Sequence, residues 1–326
     1  MKATAQAPSN IAFIKYWGKA DEGLRTPLND SFSMNLSGAY TVTTVEFSDT
    51  YTVDDVILQD GTFSSSEVKR VVRGLDRIRQ YAGVSLHARV VTKNTFPKGA
   101  GSAASASGFA ALTIAGFAAL GVTLSQKEQT IVARLGSGSA CRSIPDGFVV
   151  WEKGSGSDTS FAYSLYPSEY WDLRDILVIV DARMKKVPTS EGMESIQTSP
   201  HLARRLAAVP KRMSDIKDAF RTKNFLRLGE IMEEDCLDMH RVMQTQEPPI
   251  MYWNETTIRI MEAVVGWRKN GLPVYFTIDA GPNVHLICEG KDEARVFECV
   301  QAMSGIEHII VNMPSDGARV IQTHLF

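Results

Sequence analysis

The segment between Pro97 and Gly121 restricts the fold more than any other part of the chain. Glycine, alanine and serine dominate it, and its later part, GFAALTIAGFAAL, has the composition of a helix that is buried on all sides. Small side chains also allow a helix to pack closely against a sheet. The sequence therefore predicts that a buried helix lies here against β-strands.

Strands and helices are both expected around this segment. Runs rich in β-branched residues predict strands over residues 41–47, 51–58 and 84–92, and the apolar run DILVIVDA at 175–182 predicts a strand buried on both faces. The later half is predicted to be more helical. Its predicted helices cover residues 190–206, 210–221, 225–243 and 256–270. We therefore predict an α+β fold with two lobes, residues 1–183 and 184–326.

Composition argues against several classes of function. The 326 residues are 44% hydrophobic, and the formal net charge of −2 gives no electrostatic reason to expect nucleic acid or a membrane surface as a partner. No apolar run approaches the roughly 20 residues of a membrane span, and no signal peptide is recognisable. The four cysteines form no CxxC pair and the six histidines no HExxH motif, so no protein-bound transition metal is expected. We expect a cytoplasmic protein.

The start of the small-residue segment has the character of a phosphate-binding loop. Glycines that lead directly into a helix leave unpaired N–H groups at the positive end of the helix dipole, where a phosphate can dock. The segment is neither a Walker A loop nor GxGxxG, and close packing alone would also explain its small residues. The candidate nucleotide-binding residues are Pro97, Gly99, Gly101, Ser102, Ser105 and Ser107.

A second candidate anion site is the segment GSGSACRSIPDGF, residues 136–148. Small residues and hydroxyl groups precede Arg142, whose guanidinium can hold two oxygens at once. Asp146 follows in the same segment, and its carboxylate would repel an anion. The segment therefore favours some anions over others, depending on where Asp146 points.

Two further segments carry charges that could serve a reaction. Lys15 and Lys19 lie four residues apart near the N-terminus, and Asp279 follows an apolar strand. The lysines could instead be solvated surface groups, and the aspartate could be a turn former. Together with the two anion sites, they would provide the cradle, the cations and the orienting carboxylate that phosphoryl transfer needs.

Seven segments of the chain resemble those of diphosphomevalonate decarboxylases, a family of the GHMP kinase superfamily. They are APSNIAFIKYWGK, NDSFSMNLS, PKGAGSAASASGFAAL, RLGSGSACRSI, GFVVWEKG, KKVPTSEGM and FTIDAGPN, in the order of that family. The resemblance implies the GHMP kinase fold, with an N-terminal lobe like ribosomal protein S5 domain 2, an α/β C-terminal lobe and a central active-site cleft. It further implies ATP and Mg²⁺, a homodimer, and phosphorylation of the 3-hydroxyl of a mevalonate phosphate followed by loss of phosphate and CO₂.

The resemblance also assigns roles to single residues. It implies that Asp279 orients the 3-hydroxyl and can deprotonate it, and that Lys15 neutralises charge near the reacting carboxylate and phosphates. Mg²⁺ would be carried by ATP, with Ser105 as a candidate contact. The substrate-binding candidates are Tyr16, Lys19, Ser139, Arg142, Thr189 and Ser190.

Two departures from the family pattern bear on the substrate. Asp146 stands where the family usually has glycine, and Ser190 stands where some bacterial members have an arginine that helps to hold the diphosphate. Because a cation is missing and a carboxylate is added, we expect Asp146 to face the substrate and mevalonate 5-phosphate to be preferred, giving isopentenyl phosphate. The alternative is that Asp146 points outward as a turn residue and the substrate is mevalonate 5-diphosphate. Remoter alternatives are a non-decarboxylating GHMP kinase and a binding module without activity.

Overall fold

The computed structural model describes residues 1–96, 104–183 and 187–326. The strands are β1 (Lys2–Ile14), β2 (Lys19–Asp21), β3 (Thr26–Pro27), β4 (Ser31–Ser48), β5 (Asp55–Leu58), β6 (His87–Asn94), β7 (Phe148–Trp151), β8 (Ala162–Tyr166), β9 (Leu173–Ile179), β10 (Tyr275–Ile278), β11 (Val284–Glu289), β12 (His308–Asn312) and β13 (Arg319–Ile321). The α-helices are α1 (Ser65–Ala82), α2 (Ala104–Ala119), α3 (Gln126–Gly136), α4 (Thr189–Gly192), α5 (Leu202–Arg221), α6 (Phe225–Thr245), α7 (Glu255–Lys269) and α8 (Glu293–Gln301). None of the helices described here is long and apolar enough to cross a membrane.

The larger sheet is organised around the long strand β4. Within the described residues it has seven strands, in the order β13-β1-β4-β6-β5, and β7 pairs with both β4 and β8. The first strand, β1, was not predicted from the sequence. Its residues alternate poorly, and its pairing with β4 is irregular between Pro8 and Asn10 and again between Ala12 and Ile14.

The buried helix predicted from the small-residue segment is confirmed. Helix α2 packs against the first half of β1 and against α1 in one core, in which Leu75 and Ile78 of α1 are buried. Beyond the irregularity in β1, Ile11 and Phe13 pack instead in a second core with residues of α5 and α6. The larger sheet is therefore buried between two helical layers, and the end of β1 lies deep inside the protein.

The smaller sheet has the order β10-β11-β9-β12 and is antiparallel throughout. It packs against α6, α7 and α8, and β9 is buried almost completely, as its apolar sequence predicted. Strand β9 precedes the lobe boundary predicted near residue 183, and β13 returns to the larger sheet. The chain passes from the larger sheet to the smaller sheet before β9. The lobe boundary near residue 183 stays a prediction.

The bounds predicted for two helices, residues 190–206 and 210–221, are wrong. The structure has the short helix α4 and then the continuous helix α5, which contains Pro210. A proline inside a helix removes one backbone hydrogen bond, but burial of an apolar face can outweigh that loss. Val209, Met213, Ile216 and Phe220 of α5 are buried in this way.

Candidate active site

A cleft with a volume of about 390 Å³ brings together most of the described residues that the sequence singled out. Its walls come from the end of β1, the start of α2, the 3-10 helix Gly138–Ser143, the segment around α4 and the turn after β10. The predicted site residues that line it are Lys15, Tyr16, Lys19, Ser105, Ser139, Arg142, Thr189, Ser190 and Asp279. Pro97, Gly99, Gly101 and Ser102 lie outside the described residues.

Lys15 and Asp279 form an ion pair in this cleft. The Lys15 Nζ lies 2.6 Å from the Asp279 Oδ1, and each residue directly follows a strand, β1 or β10. Burial opposes ionisation of Asp279, but the Lys15 ammonium and other nearby cations outweigh it and lower the pKa of Asp279 below its ordinary value. Asp279 is therefore an ionised carboxylate at neutral pH, able to accept a proton from a bound hydroxyl group.

The main chain of Lys15 is fixed by residues that the sequence analysis missed. Its N–H donates to Asp235 at 2.7 Å, and its carbonyl accepts from Asn29 at 3.0 Å and from Arg205 at 3.2 Å. Arg205 and Asp235 also form an ion pair with both side chains fully buried. This network holds Lys15 in place although its own side chain is almost completely buried.

Arg142 is a buried cation with neutral hydrogen-bond partners. Its Nε and Nη2 donate to the Oδ1 of Asn10 at 3.1 and 3.0 Å, and its Nη1 donates to the Ser31 hydroxyl at 2.9 Å. No carboxylate of the described residues lies within ion-pair distance of it, and burial lowers its pKa. A buried guanidinium that faces a cleft without a counter-ion indicates a site for an anionic ligand. Asn10 and Ser31 were not predicted.

Tyr16 lies beside the same 3-10 helix. A Cβ atom at Gly138 would come within 2.9 Å of the Tyr16 ring and hydroxyl, so only glycine allows this approach. Burial raises the pKa of Tyr16, and its neutral hydroxyl can donate a hydrogen bond to a ligand. Lys19 also lines the cleft, where its Nζ lies 2.5 Å from a carboxylate oxygen of Glu22.

The other end of the cleft suits a nucleotide. The first turn of α2 presents Ser105, whose hydroxyl lies 3.1 Å from that of Ser137. Apolar side chains line this end and provide a surface on which a base can lie; they are Val56, Leu58, Phe63, Val71, Val90, Phe109 and Leu112. Ser107, predicted to contact the nucleotide, is fully buried and its hydroxyl lies 2.7 Å from the hydroxyl of Thr41, so its role is structural.

Asp146 lies outside the cleft, and the prediction that it faces the substrate is wrong. Its side chain is exposed and its Oδ1 accepts a hydrogen bond from the N–H of Gly317 at 2.7 Å. Gly147, the next residue, has φ of +66°, which is typical of a turn. Asp146 therefore points outward at a turn, as the alternative interpretation expected, and it adds no carboxylate to the anion site.

His240 is a further residue near the reacting groups that the sequence did not reveal. Its Nε2–H donates to the carbonyl of Ile278 at 3.2 Å, directly before Asp279, and its ring lies 4.6 Å from that of Trp253. Burial lowers the pKa of His240 to about 3, so the imidazole is neutral at pH 7. It positions the backbone ahead of Asp279 without adding charge to the cleft.

Two family models together match most of the chain. The model of a diphosphomevalonate decarboxylase-like N-terminal domain matches residues 7–162, and that of a mevalonate 5-diphosphate decarboxylase C-terminal domain matches residues 176–320. The diphosphomevalonate decarboxylase of Candida albicans is 34% identical, over 99% of this chain and 96% of that protein. The enzyme mvd1 of Aspergillus fumigatus is 36% identical, over 93% of this chain and 81% of that protein.

Solved structures give the same result and confirm the predicted fold. Mevalonate diphosphate decarboxylase from Staphylococcus aureus superimposes with a TM-score of 0.94 at 37% identity, covering 98% of both chains. The complex of MDDEF with MVAPP, AMPPCP and magnesium superimposes with a TM-score of 0.93 at 38% identity, covering 99% of both chains. The two-lobed arrangement around the cleft is thus shared along nearly the whole chain.

Proposed function

The chain belongs to the diphosphomevalonate decarboxylase family, and from this premise we propose that it converts mevalonate 5-diphosphate and ATP into isopentenyl diphosphate, ADP, phosphate and CO₂. The observation that carries the proposal is the ion pair of Lys15 and Asp279 in a cleft that also contains the buried cation Arg142. A carboxylate that accepts a proton and two cations that face anionic groups are the parts such a reaction needs.

The first step is phosphoryl transfer to the 3-hydroxyl group of the substrate. Asp279 accepts the hydroxyl proton as the oxygen forms a bond to the γ-phosphorus of ATP, and the bond from that phosphorus to the β-phosphate oxygen breaks to leave ADP. Lys15 holds the carboxylate of Asp279 in position and keeps it ionised. The tertiary hydroxyl is thereby converted into a good leaving group.

The second step is loss of the new phosphate together with CO₂. The bond between C3 and the phosphate oxygen breaks, and its electron pair leaves with the phosphate. The bond between C2 and the carboxyl carbon then supplies the pair that forms the alkene, and CO₂ departs. The Lys15 ammonium stabilises the negative charge that moves from the carboxylate side to the phosphate side of the substrate.

Magnesium fits the nucleotide end of the cleft. Mg²⁺ supplies charge neutralisation at the phosphates when it is bound with ATP, and the Ser105 hydroxyl at the start of α2 is a described group that can contact it. The complex of MDDEF with AMPPCP and magnesium supports both ATP and Mg²⁺ for this chain. Among the described residues, no group of three His, Cys, Asp or Glu side chains could hold a metal ion by itself.

The expected preference for mevalonate 5-phosphate is not retained. It depended mainly on a carboxylate at residue 146 facing the terminal phosphate, and Asp146 instead binds the backbone at Gly317. Ser190 does line the cleft, but a serine instead of an arginine at this position leaves the other cations of the cleft in place. The relatives named above are diphosphomevalonate decarboxylases, which further supports the diphosphate as substrate.

Steady-state CO₂ release tests this choice of substrate. With mevalonate, its 5-phosphate and its 5-diphosphate compared at saturating ATP, we expect the highest kcat/KM for the diphosphate, by about tenfold or more over the monophosphate, since one further charged contact contributes roughly 1.5–3 kcal/mol. Equal or higher kcat/KM with the monophosphate would show that the second phosphate is not recognised.

A further inference from the structure

A second, smaller cavity adjoins the cleft. Its volume is about 200 Å³, and it lies between the first hairpin, the outer face of α1 and the end of α3. Four arginines line it: Arg25 between β2 and β3, and Arg70, Arg73 and Arg77 of α1. Arg25 and Arg70 also line the cleft, so the two cavities share a wall. We call the smaller cavity the arginine pocket.

The four guanidinium groups have no ion-pair partner among the residues that the structure describes. In the described part of the chain, no carboxylate lies within 4.0 Å of any of them. The only carboxylate that lines the pocket among the residues described is that of Glu22, which is paired with Lys19 at 2.5 Å. Arg70 donates to the carbonyl of Gly136 at 3.3 Å, but its Nε is buried without a hydrogen-bond partner.

Helix α1 also carries an arginine that is paired with acidic side chains. Arg79, two residues after Arg77, is bound by the carboxylates of both Asp54 and Asp76. On the side of the pocket, burial and then the charge of Arg25 lower the pKa of Arg70 and of Arg77. The negative charges of Glu67 and Asp76 offset this effect only in part, and no carboxylate of the described residues forms an ion pair with Arg70 or Arg77. The like charges in the pocket therefore favour an anion in the space between them.

We propose that Arg25, Arg70, Arg73 and Arg77 form a binding pocket for a phosphate group. Guanidinium groups bind phosphate oxygens through paired, charge-assisted hydrogen bonds, and several of them converging on one cavity favour a multiply charged anion over a carboxylate. Arg25 has φ of +52°, a conformation that non-glycine residues seldom adopt, and in it Arg25 lines both cavities.

The terminal phosphate of the substrate is the source that the geometry favours. Glu22 of the pocket pairs with Lys19 at 2.5 Å, and Lys19 and Arg25 both line the cleft, so the hairpin side of the pocket adjoins the substrate end of the cleft. This assignment rests on the proposed function. Free inorganic phosphate has the same chemistry, and the kinetic measurements below separate the two sources.

Thermal unfolding with inorganic phosphate or pyrophosphate tests the pocket without turnover. A ligand that binds only the folded state raises Tm, so we expect both anions to raise the Tm of the wild-type protein. In the double variant Arg73→Gln with Arg77→Gln, we expect about 10- to 100-fold weaker binding, with a Tm in buffer that is unchanged or higher because repulsion is relieved. Lys69→Gln is the matched control, since it removes an exposed charge of α1 that does not line the pocket.

These measurements distinguish the possible ligands of the arginine pocket. Equal stabilisation of the double variant and the wild type by pyrophosphate would overturn the proposal, whatever the activity of the enzyme. If the pocket takes the substrate, the double variant raises KM for mevalonate 5-diphosphate about tenfold or more and leaves KM for ATP unchanged. If it takes free phosphate, KM stays constant and product inhibition by phosphate is lost. A rise in KM for ATP alone would overturn the proposal in favour of a nucleotide contact.

Discussion

Replacing Asp279 with asparagine is expected to lower kcat for CO₂ release by about 10³-fold or more, because the amide cannot accept the proton of the 3-hydroxyl group. The side chain keeps its size, so the shape of the cleft is conserved. ATP binding should remain within about threefold of the wild type, since the nucleotide end of the cleft is lined by α1, α2 and β6. Phosphorylation and CO₂ release should be lost together, because the second step needs the product of the first.

A matched control for this variant is Asp218→Asn. Asp218 is an exposed aspartate of α5 that pairs with Arg221 and lies outside the cleft, and surface changes of this kind cost less than about 0.5 kcal/mol. The control should keep wild-type activity. Normal turnover by Asp279→Asn would contradict the assignment of Asp279 as the proton acceptor.

Replacing Lys15 with methionine is expected to lower kcat by about 10²- to 10³-fold, which is the usual effect of removing one preorganised charge from a reacting centre. Methionine fills the space of the buried aliphatic chain but cannot stabilise the developing negative charge. The variant should also shift the acid limb of the pH profile. Lys15 lowers the pKa of Asp279, so without it this pKa rises, and activity should be lost at a higher pH as the pH falls.

The pH profile distinguishes this role from a structural one. A variant that is merely destabilised would lose activity without moving the acid limb of kcat. Lys211→Met, which removes an exposed lysine paired with Asp215, should change neither kcat nor the profile. An unshifted acid limb in Lys15→Met would show that the ammonium does not act on Asp279.

Local patterns in the sequence predicted much of the fold. The composition of residues 108–120 indicated the buried helix α2, and the apolar run at residues 175–182 indicated the buried strand β9. Strand β1 escaped prediction because its alternation is interrupted near Pro8. The continuity of α5 through Pro210 could not be predicted either, since it depends on burial against other elements.

The candidate site could likewise be predicted from the sequence only in part. Lys15 and Asp279 were recognised through short motifs, but their contact joins residues 264 positions apart and needs the complete fold. The support for Lys15 from Asp235 spans 220 positions, and neither residue carries a local signal for it. The direction of Asp146 depends on the return of the chain to Gly317, which no feature of the segment GSGSACRSIPDGF reveals.

The stoichiometry of the products tests the proposed decarboxylation. In a single reaction mixture of the wild-type protein with ATP, Mg²⁺ and mevalonate 5-diphosphate, ADP, inorganic phosphate and CO₂ are quantified over time. We expect these three products to form in equal amounts, with isopentenyl diphosphate as the fourth. ADP formed without phosphate or CO₂ would identify a kinase that stops at the first step, and would contradict the proposed decarboxylation.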